Sequence, residues 1–234
     1  MSAPAACDAP LVILPGLMCD SRMFGHQIRA FEGQCIDGFY GGADTIAAMV
    51  DYVLARMPAR CALLGHSMGA RVALELYRRA PERVARLALA DTGVHPVRPG
   101  EAEKRFALRH LGRSAGAGAM IDQWLPPMIG PAHADDLELY TSLRAMCVDA
   151  GVAIYEAQIN ALLNRPDAAP VLSTITSPTA VIVGRDDRWS PVDQHQDIAA
   201  AITGSRLSII EQAGHMAPAE EPAAFNEALR MWLS

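Results

Sequence analysis

A serine, a histidine and an aspartate stand in this 234-residue chain where together they could carry out acyl transfer. Ser67 sits in the pentapeptide Gly65-His66-Ser67-Met68-Gly69, between the apolar run "RCALLGH" and a helical pattern that reaches Arg79. A serine hydroxyl is a weak nucleophile, so it needs exposure, a base for its proton and donors for the oxyanion it creates. A tight strand-to-helix turn gives the exposure, and small residues two before and two after it avoid clashes. Gly65 and Gly69 meet that need.

Seven histidines could serve as the base. Only His215, in "EQAGHMAP", lies on a glycine-hinged loop just after a predicted C-terminal strand. Parallel sheets deliver site residues at the carboxyl ends of their strands, which selects it. For the acid, "VIVGRDDRWSP" leaves another strand end with Asp186 and Asp187 in tandem, only one of which can face the imidazole. Asp91, at the end of "LALAD", is a third candidate, read first as an ordinary N-cap or turn residue.

These residues need a scaffold of alternating strands and helices. "LVILPG" reads as a buried strand, then a helix from about Ser21 to Phe31, a weaker strand in "QCIDGFY", and a helix over Asp44 to Met57 with Ile46, Met49, Val50, Val53 and Leu54 on one face. The strands "RCALLGH", "VARLALAD", "TAVIVG" and "SRLSII" follow, with helices predicted over Val192 to Ile202 and Pro218 to Leu233. The alternation predicts an α/β fold with a doubly wound, mostly parallel sheet of about six strands. It breaks from about 95 to 170, where helical stretches and Gly/Pro interruptions without a strand predict a helical cap inserted into one domain spanning 1–234.

The order serine, aspartate, histidine around a G-x-S-x-G turn resembles the α/β-hydrolase superfamily, from about Leu11 to the C-terminus. Small bacterial carboxylesterases and enol-lactonases are the members it looks most like, and "GRDDRWSP" also resembles the acid turn of C–C bond hydrolases. The resemblance implies Asp187 as the acid, from its distance to Gly184 and Pro191. It assigns the oxyanion donors to the backbone amides of Leu17, in "LPGLMCD", and Met68. Only about ten residues precede "LVILPG", so the antiparallel hairpin that often opens the family's sheet is expected to be trimmed away.

The implied activity is hydrolysis of a small to medium carboxylic ester, lactone or thioester through an acyl-enzyme. The alternatives are a C–C hydrolase, a cofactor-free lyase or oxygenase on the same fold, and a non-enzymatic ligand receptor. Trp124 and Met128 of the cap, with Met18 and Met216 beside the key residues, are the expected substrate contacts, forming an adaptable apolar pocket. Arg105, Arg109 and Arg113 fall at i, i+4 and i+8, a positive stripe that is either a solvated face or a surface for an anionic or carrier-bound substrate.

With 26 acidic against 20 basic residues the chain has no basic field for nucleic acid or an anionic membrane. No metal or organic cofactor is implied, because neither H-E-x-x-H spacing nor a dinucleotide or phosphate-loop glycine pattern occurs. Five scattered cysteines read as free thiols, and the N-terminus lacks a signal-peptide pattern, so a soluble, unprocessed cytoplasmic protein is expected, monomeric or homodimeric.

Overall fold

A computed structural model describes residues 9–234. Cys7 and most of the N-terminal stretch read as unprocessed lie outside the described residues. The strands are β1 (Leu11–Leu14), β2 (Gln34–Cys35), β3 (Cys61–His66), β4 (Val84–Ala90), β5 (Thr179–Gly184) and β6 (Arg206–Ile210). They form one six-stranded sheet in the order β2-β1-β3-β4-β5-β6, with every pairing parallel. β1, β3 and β5 are buried at every position, as strands sandwiched between helices must be, which explains their continuous apolar runs.

The helices are α1 (Gly25–Phe31), α2 (Ile46–Leu54), α3 (Met68–Arg79), α4 (Glu101–Trp124), α5 (Leu137–Leu163), α6 (Ala169–Leu172), α7 (Val192–Ala201), α8 (Ala217–Glu220) and α9 (Pro222–Leu233). α2 packs on α3 and α1 on α9, while α4 and α5 pack on each other as the helical insertion between β4 and β5. Both insertion helices are kinked, at Gly116 and Gly151. On α2 the buried face is Ile46, Met49, Val50 and Val53, as the spacing predicts, and Leu54 is half-buried.

Two predicted elements differ. The strand expected in "QCIDGFY" shrinks to Gln34–Cys35, because the chain then turns through positive φ at Gly38, Phe39, Tyr40, Gly41 and Gly42. The turn buries Tyr40 and brings its hydroxyl to donate to the Pro15 carbonyl at 2.7 Å. The single helix expected over Pro218 to Leu233 is two, α8 and α9. Pro222 forces Glu221 out of the helical region, to φ −127° and ψ 64°.

The order of the sheet fixes where a site can lie. From β1 the chain moves outward to β2, then crosses back beyond β1 to β3, so the loops after β1 and β3 diverge and leave a crevice at their carboxyl ends. The first of these loops carries Leu17 and the second Ser67.

Candidate active site

Ser67 adopts φ 54° and ψ −115°, between the end of β3 and the first residue of α3. A non-glycine residue held at positive φ costs on the order of 1–3 kcal/mol, so the surroundings must impose it. They do so by close approach. A Cβ on Gly69 would overlap the Leu14 carbonyl oxygen, and one on Gly65 would lie 2.5 Å from Cα of Ala70. The two glycines let α3 press against β1 and β3, and the serine takes the strained position between them.

His215 lies on the loop after β6, and its Nε2 is 2.9 Å from Ser67 Oγ. Its Nδ1 is 2.8 Å from Asp187 Oδ2. A carboxylate only accepts, so Nδ1 carries the proton and Nε2 presents its lone pair to the serine hydroxyl. The other oxygen of Asp187 accepts from the amides of Trp189 and Ser190 at 2.8 and 2.9 Å. Burial alone would raise the Asp187 pKa, but His215 and these two amides outweigh it and hold the carboxyl below its ordinary value. Of the tandem pair, Asp187 points inward, while Asp186 is half-buried and away from the imidazole.

Asp91 corrects the expectation of an ordinary cap or turn residue. It is wholly buried, at φ 47°, and its Oδ1 accepts from the Gly184 amide at 2.9 Å. It ties the end of β4 to the end of β5 behind Ser67, His215 and Asp187. Burial, with Asp187 nearby, pushes its pKa well up. His66 completes this layer. Its Nε2 is 2.9 Å from the His215 carbonyl and must donate to it. Burial, with His215 close by, holds the His66 pKa down to about 3, so its ring is neutral.

The amides of Leu17 and Met68 have no protein acceptor among the described residues. Two contacts fix the Leu17 loop. Tyr40 holds Pro15, and the Met18 amide, at φ 58°, donates to Oε1 of Gln158 on α5 at 2.8 Å. Gln158 is fully buried, and sequence reasoning missed it. In the sequence it is one of three polar residues, with Glu156 and Asn160, in the helical stretch "AIYEAQINALL", and nothing local sets it apart. The insertion also reaches the histidine loop. The His215 amide donates to the Met128 carbonyl at 2.8 Å, and buried Glu220 accepts from the amides of Gly130, Gly214 and Met216.

Above these groups opens a cleft of about 260 Å³. Leu17, Ser67, Met68, Trp124, Met128 and His215 line it. Met18 and Met216 do not. Met18 turns into the core on its positive φ, and Met216 caps α8 with its side chain 1% exposed. The arginine stripe is not one surface either, because four residues overshoot a full helical turn by about 40°. Arg105 therefore enters the cleft, Arg109 lies over the Phe106 ring at 4.4 Å, and Arg113 pairs with Glu156 at the surface. Arg71 and Arg165 also line the cleft and were not singled out from the sequence.

Among the described residues no three His, Cys, Asp or Glu side chains converge as a metal site, and no helix is long and apolar enough to cross a membrane. Cys19, Cys35 and Cys147 are free thiols. The model of one family, described as Alpha/beta hydrolase family, matches residues 11–228. The chain belongs to that family. Among curated members, this α/β hydrolase is 29% identical over 191 residues to the 2-hydroxy-6-oxononadienedioate/2-hydroxy-6-oxononatrienedioate hydrolase of Klebsiella pneumoniae, covering 74% of this chain and 62% of that protein. It is 28% identical over 200 residues to the Escherichia coli K12 enzyme of the same name, covering 75% and 63%. The chain thus spans less than two thirds of the length of these curated relatives.

Among solved structures, a thermophilic esterase from Thermogutta terrifontis, with malate bound, superposes with TM-score 0.85 at 26% identity, over 97% of this chain and 90% of that one. The enol-lactonase from Burkholderia xenovorans LB400 shares the fold, with TM-score 0.83 at 24% identity over 97% and 92%.

Proposed function

We propose that this α/β hydrolase cleaves a small to medium carboxylic ester, lactone or thioester through an acyl-enzyme on Ser67. The observation that carries the reading is the unbroken relay Ser67 Oγ, His215 Nε2, His215 Nδ1, Asp187 Oδ2, with links of 2.9 and 2.8 Å. In this scheme the hydroxyl adds to the carbonyl carbon as its proton passes to His215, and the Asp187 carboxylate stabilises the imidazolium that forms. The oxyanion is received by the amides of Leu17 and Met68. Collapse expels the alcohol or thiol, which takes the proton from His215. Water, activated by the same imidazole, then releases the acid.

The test is fluorophosphonate labelling alongside turnover of a short 4-nitrophenyl ester, in the natural protein and in Ser67→Ala. Labelling is expected to vanish in the variant and turnover to fall by about four to six orders of magnitude. Absence of both in the natural protein refutes the reading in favour of a receptor or a non-hydrolytic enzyme. The names of the curated relatives favour a second substrate, a ketone cleaved at its C–C bond. There the same relay would deliver water or Ser67 to the ketone carbon, and the leaving carbanion would depart as an enolate that collects a proton.

A further inference from the structure

The hydrolytic relay uses one wall of the cleft and leaves the other unexplained. That other wall carries five basic side chains, Arg71, Arg98, Lys104, Arg105 and Arg165, and a single carboxylate, Glu101. Glu101 is already engaged. Its Oε1 accepts from Arg165 at 2.7 Å and from Arg105 at 3.0 and 3.1 Å, and its Oε2 from Arg165 at 2.8 Å and the Arg98 amide at 3.2 Å. Arg71, Arg98 and Lys104 have no carboxylate partner among the described residues.

Arg71 is the informative member. It is 8% exposed, one helical turn after Ser67 on α3, and its Nη2 donates to the His95 carbonyl at 3.1 Å. Its Nη1 is enclosed and has no partner. Burial, with Arg165 adding to it, brings its pKa down to about 9 against the pull of Glu101, so the guanidinium stays charged at neutral pH. A buried guanidinium with one donor unbonded and no carboxylate partner carries a standing cost, and Arg71 lines the cleft, where a bound anion would offset its charge. Ser67 and Arg71 start the same helix, about 5.4 Å of rise apart, and line the same cleft, so an anion held by Arg71 would share that cleft with the carbonyl Ser67 would attack.

We infer that this wall is a subsite for a carboxylate carried by the substrate itself, with Arg71 as its central contact and Arg98 and Lys104 adding positive charge around it. The substrate class is a short half-ester of a dicarboxylic acid. A planar carboxylate matches a guanidinium fork and leaves room in the cleft for the ester. The assignment rests on the hydrolytic reading of Ser67, and the experiments separate the two.

The first experiment compares kcat/KM for the 4-nitrophenyl half-ester of glutaric acid with that for its neutral isostere, 4-nitrophenyl 5-methylhexanoate. The natural protein is expected to favour the anion by about 10- to 100-fold, the range of a charge-assisted hydrogen bond. Arg71→Met should lower that ratio at least tenfold, through KM. The pair Arg98→Gln with Lys104→Gln should lower it several-fold and carries the test if Arg71→Met does not fold. Arg113→Gln, outside the cleft, should leave the ratio unchanged.

The second experiment titrates glutarate and inorganic phosphate into Ser67→Ala by calorimetry. Glutarate binding that weakens at least tenfold when Arg71→Met is added supports the subsite even if neither ester is hydrolysed and the catalytic reading falls. Equal kcat/KM for the two esters, no binding of glutarate, or tighter binding of phosphate than of glutarate overturns it. Hydrolysis of the neutral ester without preference would leave the serine mechanism standing and remove the subsite alone.

Discussion

Gln158 links the helical insertion to the loop that would hold the oxyanion, so Gln158→Leu should slow the chemistry with little loss of global stability. The substitution leaves the buried Met18 amide without its acceptor. An unsatisfied buried donor costs about 1–3 kcal/mol. The same change removes Gln158 Nε2, itself buried without a partner, and returns a comparable amount. With the net within about 1 kcal/mol, the melting temperature should move by no more than about 4 °C for a chain of this size. Complete loss of one oxyanion donor costs about 100- to 1000-fold in kcat. Here Tyr40 still holds Pro15, and the Cys19 amide still bonds the Gly16 carbonyl, so only part of that is lost. The expected fall in kcat is about 10- to 30-fold, equivalent to about 1.4–2 kcal/mol of transition-state stabilisation, with KM nearly constant. Gln158→Glu, which keeps an acceptor, should recover most of it. Steady-state kinetics on a neutral 4-nitrophenyl ester, beside a thermal melt, checks both parts. A kcat within twofold of the natural protein, or a loss lying wholly in KM, refutes the argument.

Two further predictions concern the layer behind the site. His66 is neutral in the folded protein down to about pH 3 but takes a proton near pH 6.5 when unfolded, so stability falls as pH drops through that window. At pH 5 the loss is about 2 kcal/mol, and His66→Gln, which keeps a donor for the His215 carbonyl, should remove it; parallel urea-unfolding curves for the two proteins at pH 7 and pH 5 would contradict this. Glu220→Gln places an amide nitrogen against at least one of three buried backbone N–H groups, which should cost about 2–4 kcal/mol and lower the melting temperature by about 5–15 °C. Because those groups flank His215 and the base of the insertion, kcat should fall with it, and an unshifted melt would show that the three bonds are not formed together.

The candidate catalytic residues could be singled out because each of them marks a backbone event as well as a chemical one. Gly65 and Gly69 announce the close approach of α3 to β1, and the "GH" of residues 214 and 215 announces a loop after a strand. Strand runs such as "LVIL" and "TAVIVG" are continuous because parallel strands are buried on both sides, so the sheet could be counted before it was seen. The short β2 was harder. Its neighbouring turn depends on positive φ at Phe39 and Tyr40, and their side chains give no local warning of it.

What could not be read shares a different physics. Gln158, Arg71, Arg165, Glu220 and Asp91 each bond at least one partner far away in sequence, and a polar residue in a helix carries no label for the distant group it satisfies. The methionines show the converse error. Met18 and Met216 sit next to Leu17 and His215 in the chain, yet adjacency along a turning backbone sends alternate side chains in different directions, into the core rather than the cleft. The arginines of α4 show the same limit over a longer span, since an i, i+4, i+8 row drifts around the helix and only Arg105 reaches the cleft. Composition misleads for a related reason. A chain with net charge −6 places five cations along one wall of its cleft, because bulk charge counts residues wherever they lie, while recognition depends on which ones the topology brings to the same few ångströms.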